Sequence, residues 1–174
     1  AEVWEPLKLV RIPTSRPIII TKIDPPVPPV PPVPPKPRSS QIPLQRPRRP
    51  KHFTGREEEL GQLLAALQSS QAITLCGPGG IGKSALAAEA ISRLPSDTFP
   101  DGIIFHDFYK EPLASQALDK MARAFGNRSG QSEPELVKGI LFNKKVLLVL
   151  DGAEKADDLE KVVDVRSNEC GVLI

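Results

Sequence analysis

"GPGGIGKS", residues Gly77–Ser84, fits the pattern GxxxxGK[ST]. Each residue type in it has a physical task. The glycines, Gly77, Gly79, Gly80 and Gly82, let successive backbone N–H groups curl inward around phosphate oxygens, with Ile81 between them. Lys83 adds a positive charge for the β and γ phosphates, and the Ser84 hydroxyl is a magnesium ligand. Before the stretch comes "AITLC" (Ala72–Cys76), a short apolar run that reads as a buried strand. After it comes "KSALAAEAISRL", a helical pattern whose N-terminal dipole faces the phosphates. The competing reading is a Gly-rich turn with an incidental Lys-Ser. With glycine at about 7% of residues such matches are rare by chance, and the strand-loop-helix context is the one a true phosphate loop requires.

A second stretch, "VLLVLDGAEKADD" (Val146–Asp158), supplies the complement. Five apolar residues fit a strand buried on both faces of a parallel sheet. They end in one carboxylate, Asp151, at the strand end where open α/β sheets bind ligands. In P-loop NTPases a carboxylate so placed holds Mg2+ beside the loop Ser/Thr. Gly152 follows, and the next acid is Glu154. Glu154 has two readings at this level. It reaches back to the site as a catalytic group, or it is a surface acid opening a helix over Glu154–Val165, where the dipole favours it.

Working outward, "GIIFHDF" (Gly102–Phe108) reads as a strand, "SQALDKMARAF" and "EPELVKGIL" as helices, and "CGVLI" as the beginning of a last strand. Strands alternating with helices predict a parallel sheet with covered faces. Upstream, "TGREEELGQLLAALQ" places Thr54 three residues before Glu57, a capping box, and Leu60, Leu63, Leu64 and Leu67 on one helix face. His52 and His106 have no metal-ligand company and read as structural. Asp107, at a strand end, has only a weak claim on the site.

The N-terminal third is physically different. Residues 1–52 hold ten Lys/Arg against three acids, whereas 53–174 hold thirteen against eighteen, within a net charge of +2. Fifteen of the twenty prolines precede residue 53 and all twelve glycines follow residue 54, which sets the boundary between linker and domain there. Residues 1–24 read as a leader or the tail of an upstream domain, with strand fragments around Leu7–Ile12 and Pro17–Ile23. "PPVPPVPPVPPKP" (25–37) has the three-residue period of polyproline II and favours a stiff spacer; Val30–Lys36 also matches a PxxP ligand for a proline-recognition domain. "RPRRPK" lacks interleaved aromatics, so a solvated linker is favoured over nucleic-acid binding. The sequence has no run of some eighteen apolar residues that would suggest a membrane span. Two cysteines without CxxC spacing suggest a reducing, cytoplasmic setting, with Cys76 and Cys170 unpaired at opposite strand ends.

"HFTGREEELGQLLAAL", "LCGPGGIGKSALA" and "KKVLLVLDGAE", in this order, resemble the STAND ATPases of the NB-ARC (AP-ATPase) type, over residues 53–174. The resemblance implies a P-loop sheet of order 5-1-4-3-2 whose fifth strand lies beyond Ile174, so the domain is expected to be C-terminally incomplete. It implies a nucleotide-operated switch binding ATP or ADP with Mg2+, which self-associates in the full-length protein. It places Phe53, Thr54, Gly55 and Arg56 against the adenine, Gly79–Ser84 around the phosphates, and Asp151 on the magnesium. Many members carry a second acid directly after that Asp; here Gly152 stands there. The functional expectation is a switch with slow hydrolysis. The alternatives are a high-turnover ATPase motor, or an interaction module acting through the PxxP segment.

Overall fold

The computed structural model describes residues 8–11, 17–20, 42–69, 72–128, 130 and 132–174. The polyproline repeat and its PxxP segment lie outside the described residues. Strands β1 (Lys8–Arg11) and β2 (Pro17–Ile20) pair antiparallel, Lys8 opposite Ile20, within the two upstream fragments expected to be extended.

The main sheet is all parallel. It is built from β3 (Ala72–Ile73), β4 (Gly102–Asp107), β5 (Val146–Asp151) and β6 (Gly171–Leu173), ordered β3-β6-β5-β4. This is the 1-4-3-2 part of the expected order, with one strand between the phosphate-loop strand and the strand ending in Asp151. Around the sheet pack α1 (Glu57–Ser69), α2 (Lys83–Arg93), α3 (Ala114–Ala124), α4 (Pro134–Leu141) and α5 (Leu159–Val163). Regular β3 is short, but its pairing with the chain end continues. Ile174 N–H donates to the Ile73 carbonyl (2.9 Å), and Leu75 N–H to that of Ile174 (2.7 Å).

Alternation along β5 explains why the sheet needs helices on both sides. Leu147 and Val149 join one core with Leu60, Leu63, Leu86 and Ile91 of α1 and α2. Val146, Leu148 and Leu150 join the other with Leu118, Met121, Val137, Leu141 and Val162 of α3, α4 and α5. Successive side chains of a strand point to opposite faces, and Val146–Leu150 are all buried. Such a strand is stable only between two helical layers.

Two local expectations need correction. Helix α1 begins at Glu57, with Leu60 N–H donating to the Arg56 carbonyl, so Thr54 lies two residues too early to be its cap. Gly55, at φ +77°, turns the chain between them. The expected helix over Glu154–Val165 is also shorter. A 3-10 turn, Ala153–Lys155, comes first; α5 then starts after Asp158, whose carboxylate accepts from Lys161 N–H at 3.0 Å. Asp158 satisfies an otherwise orphaned helix donor, which sets the start there.

The stretch read as linker is engaged with the domain from Ile42 onward. Leu44 pairs parallel with Ile103: Ile103 N–H donates to the Pro43 carbonyl and Gln45 N–H to that of Ile103, each at 2.8 Å. The segment thus lies along the outer edge of β4. Gly102 makes room for it, since at φ +125° any Cβ would run into Pro43. Further on, Arg49 of the basic cluster reaches α2, where Nε and Nη2 each donate to a Glu89 oxygen at 2.9 Å. Arg93 Nε adds a third bond at 2.8 Å. Glu89 is 1% exposed, so these guanidinium groups are what makes its burial tolerable. Arg49 therefore serves an intramolecular ion pair.

His106 is buried, its Nε2 2.9 Å from the Glu111 carbonyl oxygen, and burial lowers its pKa. This is the structural role expected of it. Cys76 is exposed and Cys170 buried, and both are free.

Replacing Arg49 with Ala should lower the thermal midpoint and raise the pH of acid unfolding. The Arg49 and Arg93 hydrogen bonds hold Glu89 down to about 2. A carboxyl depressed in the fold contributes stability that is full above its unfolded pKa and lost as pH falls through the folded value. Losing Arg49 moves that loss to higher pH. Circular dichroism during acid titration checks it, and an unchanged midpoint would refute the role given to Arg49.

Candidate functional site

The Gly77–Ser84 loop joins β3 to α2 and is open to solvent above its glycines. Gly80 and Gly82 take φ of +77° and +88°, which side-chain-bearing residues rarely adopt. A Cβ at Gly79 or Gly80 would meet nothing within 4 Å, so their outer faces are free for a ligand's approach. Lys83 Nζ donates to the Gly77 carbonyl at 2.8 Å and to that of Pro78 at 3.4 Å, which holds the ammonium over the loop. Ile81, half-buried, packs into the core beneath.

Sixty-seven residues separate Ser84 from Asp151, yet Ser84 Oγ donates to Asp151 Oδ1 at 2.8 Å. The sheet order makes this meeting possible: β3 and β5 are parallel, one strand apart, and both end on the same side. A hydroxyl and a carboxylate are hard oxygen donors of the kind Mg2+ takes, usually with water and phosphate oxygens completing the octahedron. Among the described residues no cluster of three His, Cys, Asp or Glu could hold an ion. A metal here would rest on Ser84, Asp151 and the nucleotide's own oxygens, so the donors present fit Mg2+ better than a metal needing a full protein cage.

The "FTGR" entry wraps the same loop. Phe53 packs on the α1–α2 core, while Thr54 and Gly55 are exposed. Arg56 Nη1 donates to the carbonyls of Ile81 (3.0 Å) and Gly82 (3.2 Å), bracing the end of the phosphate loop. Its Nε, 3.8 Å from Glu59 Oε1, and its Nη2 are buried without a hydrogen-bond partner.

Glu154 lies on the 3-10 turn just after β5, and its Oε1 accepts a short hydrogen bond from the Tyr109 hydroxyl. That bond, foremost, lowers the Glu154 pKa, with a further contribution from the charge of Lys83. Glu154 is exposed and sits in the first turn of the 3-10 helix, while α5 starts only at Leu159. Gly152 is at φ +72°, and a Cβ there would come within 2.5 Å of the Tyr109 ring. A side chain directly after Asp151 would be strained by the backbone and would have to displace the ring. Asp107 lies in register with Asp151, but Lys110 Nζ (2.6 Å) and Tyr109 N–H (3.1 Å) occupy its carboxylate.

Sequence reasoning passed over Tyr109. It is the chain's only tyrosine and comes two residues after a strand-end acid, a signal visible in principle. Arg49 left no such trace, since its partner Glu89 is forty residues away on a helix.

A four-stranded parallel sheet with this loop and this distant carboxylate defines a P-loop nucleotide-binding domain. More narrowly, the family model "NB-ARC domain" matches residues 54–174. The chain belongs to the NB-ARC family. Among curated proteins, three named "Putative HTH-type transcriptional regulator", one from Mycobacterium bovis and two from Mycobacterium tuberculosis strains, are each 32% identical over 92 residues. That alignment covers 52% of this chain and 10% of each relative, so the chain spans about a tenth of their length. No solved structure matches.

Replacing Gly152 with Ala should cost about 1–3 kcal/mol, the usual expense of forcing a side chain into a left-handed conformation and against a neighbour. Denaturant unfolding measures this directly. A neutral effect would mean that the Tyr109 ring does not cover Gly152.

Proposed function

We propose that this chain is the ATP/ADP-binding switch module of a STAND-type signalling ATPase, with slow Mg2+-dependent hydrolysis. The observation that carries the reading is the Ser84–Asp151 contact at the mouth of the Gly77–Ser84 loop. Lys83 neutralises phosphate charge, the loop N–H groups bind phosphate oxygens, and Ser84 and Asp151 would hold Mg2+. Magnesium held there would supply positive charge against the charge that develops on the phosphates. Phe53, Thr54, Gly55 and Arg56 form the base side of the site, with Arg56 linking it to the loop at Ile81 and Gly82.

Glu154 is the carboxylate that accepts the proton of the attacking water. Gly152 leaves no acid beside Asp151, and a single base held on a short turn three residues away suits slow turnover better than a motor's cycle. The output of such a module is a conformation passed to neighbouring domains. The mycobacterial relatives are named as transcriptional regulators, and regulation is the kind of task this reading gives the module. A cytoplasmic setting and self-association of the full-length protein belong to the same reading. Among the described residues no helix is long and apolar enough to cross a membrane.

Lys83→Ala should abolish most ATP and ADP binding, read by titration with a fluorescent nucleotide; unchanged affinity would overturn the site. Asp151→Ala should retain nucleotide binding but lose Mg2+-dependent phosphate release. Persistent metal-dependent turnover in that variant would remove Asp151 from the metal site.

A further inference from the structure

Tyr109 and Glu154 come from different strand ends, forty-five residues apart, and meet above the turn that follows Asp151. The contact has two parts. The phenol hydroxyl donates to Glu154 Oε1, and the ring lies against the Cα of Gly152. Glu154 itself is exposed, on a 3-10 turn of three residues. Without a partner, such a side chain would spread over several rotamers, and fixing it has an entropic cost. Tyr109 supplies a side-chain hydrogen bond to its carboxylate, and the backbone N–H of Glu154 supplies another.

We infer that Tyr109 is a positioning residue for hydrolysis: its hydroxyl holds Oε1 of Glu154 and so sets where the carboxylate stands to take a proton from water. The inference rests on the nucleotide-switch reading and deepens it. It also gives Gly152 a reason beyond its turn. The ring needs the space a side chain there would fill, so the place of a second acid beside Asp151 is taken by the device that holds Glu154.

Because the chain has one tyrosine, its tyrosinate absorbance reports Tyr109 alone. The Tyr109 pKa is raised above the ordinary value, first by its bond to Glu154, with the charges of Asp151 and Asp107 adding to the effect. In Glu154→Gln the absorbance titration should move back toward the ordinary value, whether or not nucleotide is present. An unmoved titration would show that the pair does not exist in solution.

The functional test uses Tyr109→Phe, which keeps the ring on Gly152 and removes only the hydroxyl. Nucleotide affinity and melting temperature should stay at wild-type values, while single-turnover phosphate release falls about 10- to 100-fold, the scale of a misplaced catalytic group. In a Glu154→Gln background the same change should have no further effect, because Tyr109 acts through Glu154. Turnover that is unchanged or faster in Tyr109→Phe overturns the inference, as does an equal additional loss in the double variant. The two failures are separable. A wild-type protein that binds no nucleotide overturns the switch reading, whereas normal binding and turnover insensitive to Tyr109→Phe overturn only the role of Tyr109.

Discussion

Strand β5 is apolar on both faces, and it ends in a charge. Val146–Leu150 are buried against two separate helical layers, so the strand can lie only in the interior of the sheet. Asp151, next in line, cannot follow them into the core without a partner. It emerges at the sheet edge where the phosphate loop also ends, and Ser84 meets it there. The burial that stabilises the fold and the placement of the site's carboxylate are thus one constraint. A residue that shifted β5 by one position would exchange the two cores and carry Asp151 to the wrong face.

Around that meeting point the loop is braced from three directions. Lys83 folds over its first carbonyls, Arg56 holds its last ones, and α2 leads away with its apolar face on the α1 core. α2 is itself tied to the incoming chain through Glu89 and Arg49. Residues 43–45 in turn pair with β4, whose far end carries Asp107 beside Asp151. The basic approach segment, the loop helix and the β4 edge form one connected unit. The bridge at Leu44 satisfies the N–H and C=O of Ile103 on an otherwise open sheet edge.

The replacement of an acid by Gly152 has a local geometric cause. After Asp151 the backbone enters a left-handed conformation, and Tyr109 fills the adjoining space. The next carboxylate along the chain is on the following turn, at Glu154, where the same tyrosine binds it.

Periodicity and motif spacing made much of this legible in advance. "GPGGIGKS" between a strand and a helix, and a buried run ending in Asp151, determined the fold class and the parallel sheet, and pointed to Ser84 and Asp151, which the fold brings together. These signals are local: consecutive residues share one backbone geometry, and apolar runs report burial directly. The helix starts were less legible, because Thr54 and Asp158 both look like caps and only the turn at Gly55 and the break after Lys155 decide between positions. The contacts of Arg49 with Glu89, of residues 43–45 with β4, and of Tyr109 with Gly152 and Glu154 were decided by tertiary structure alone. Each joins residues more than thirty-five positions apart through side chains or an edge that are polar or unremarkable in sequence. No local pattern encodes such pairs; they exist because a buried sheet brings distant strand ends and a helix flank to the same place.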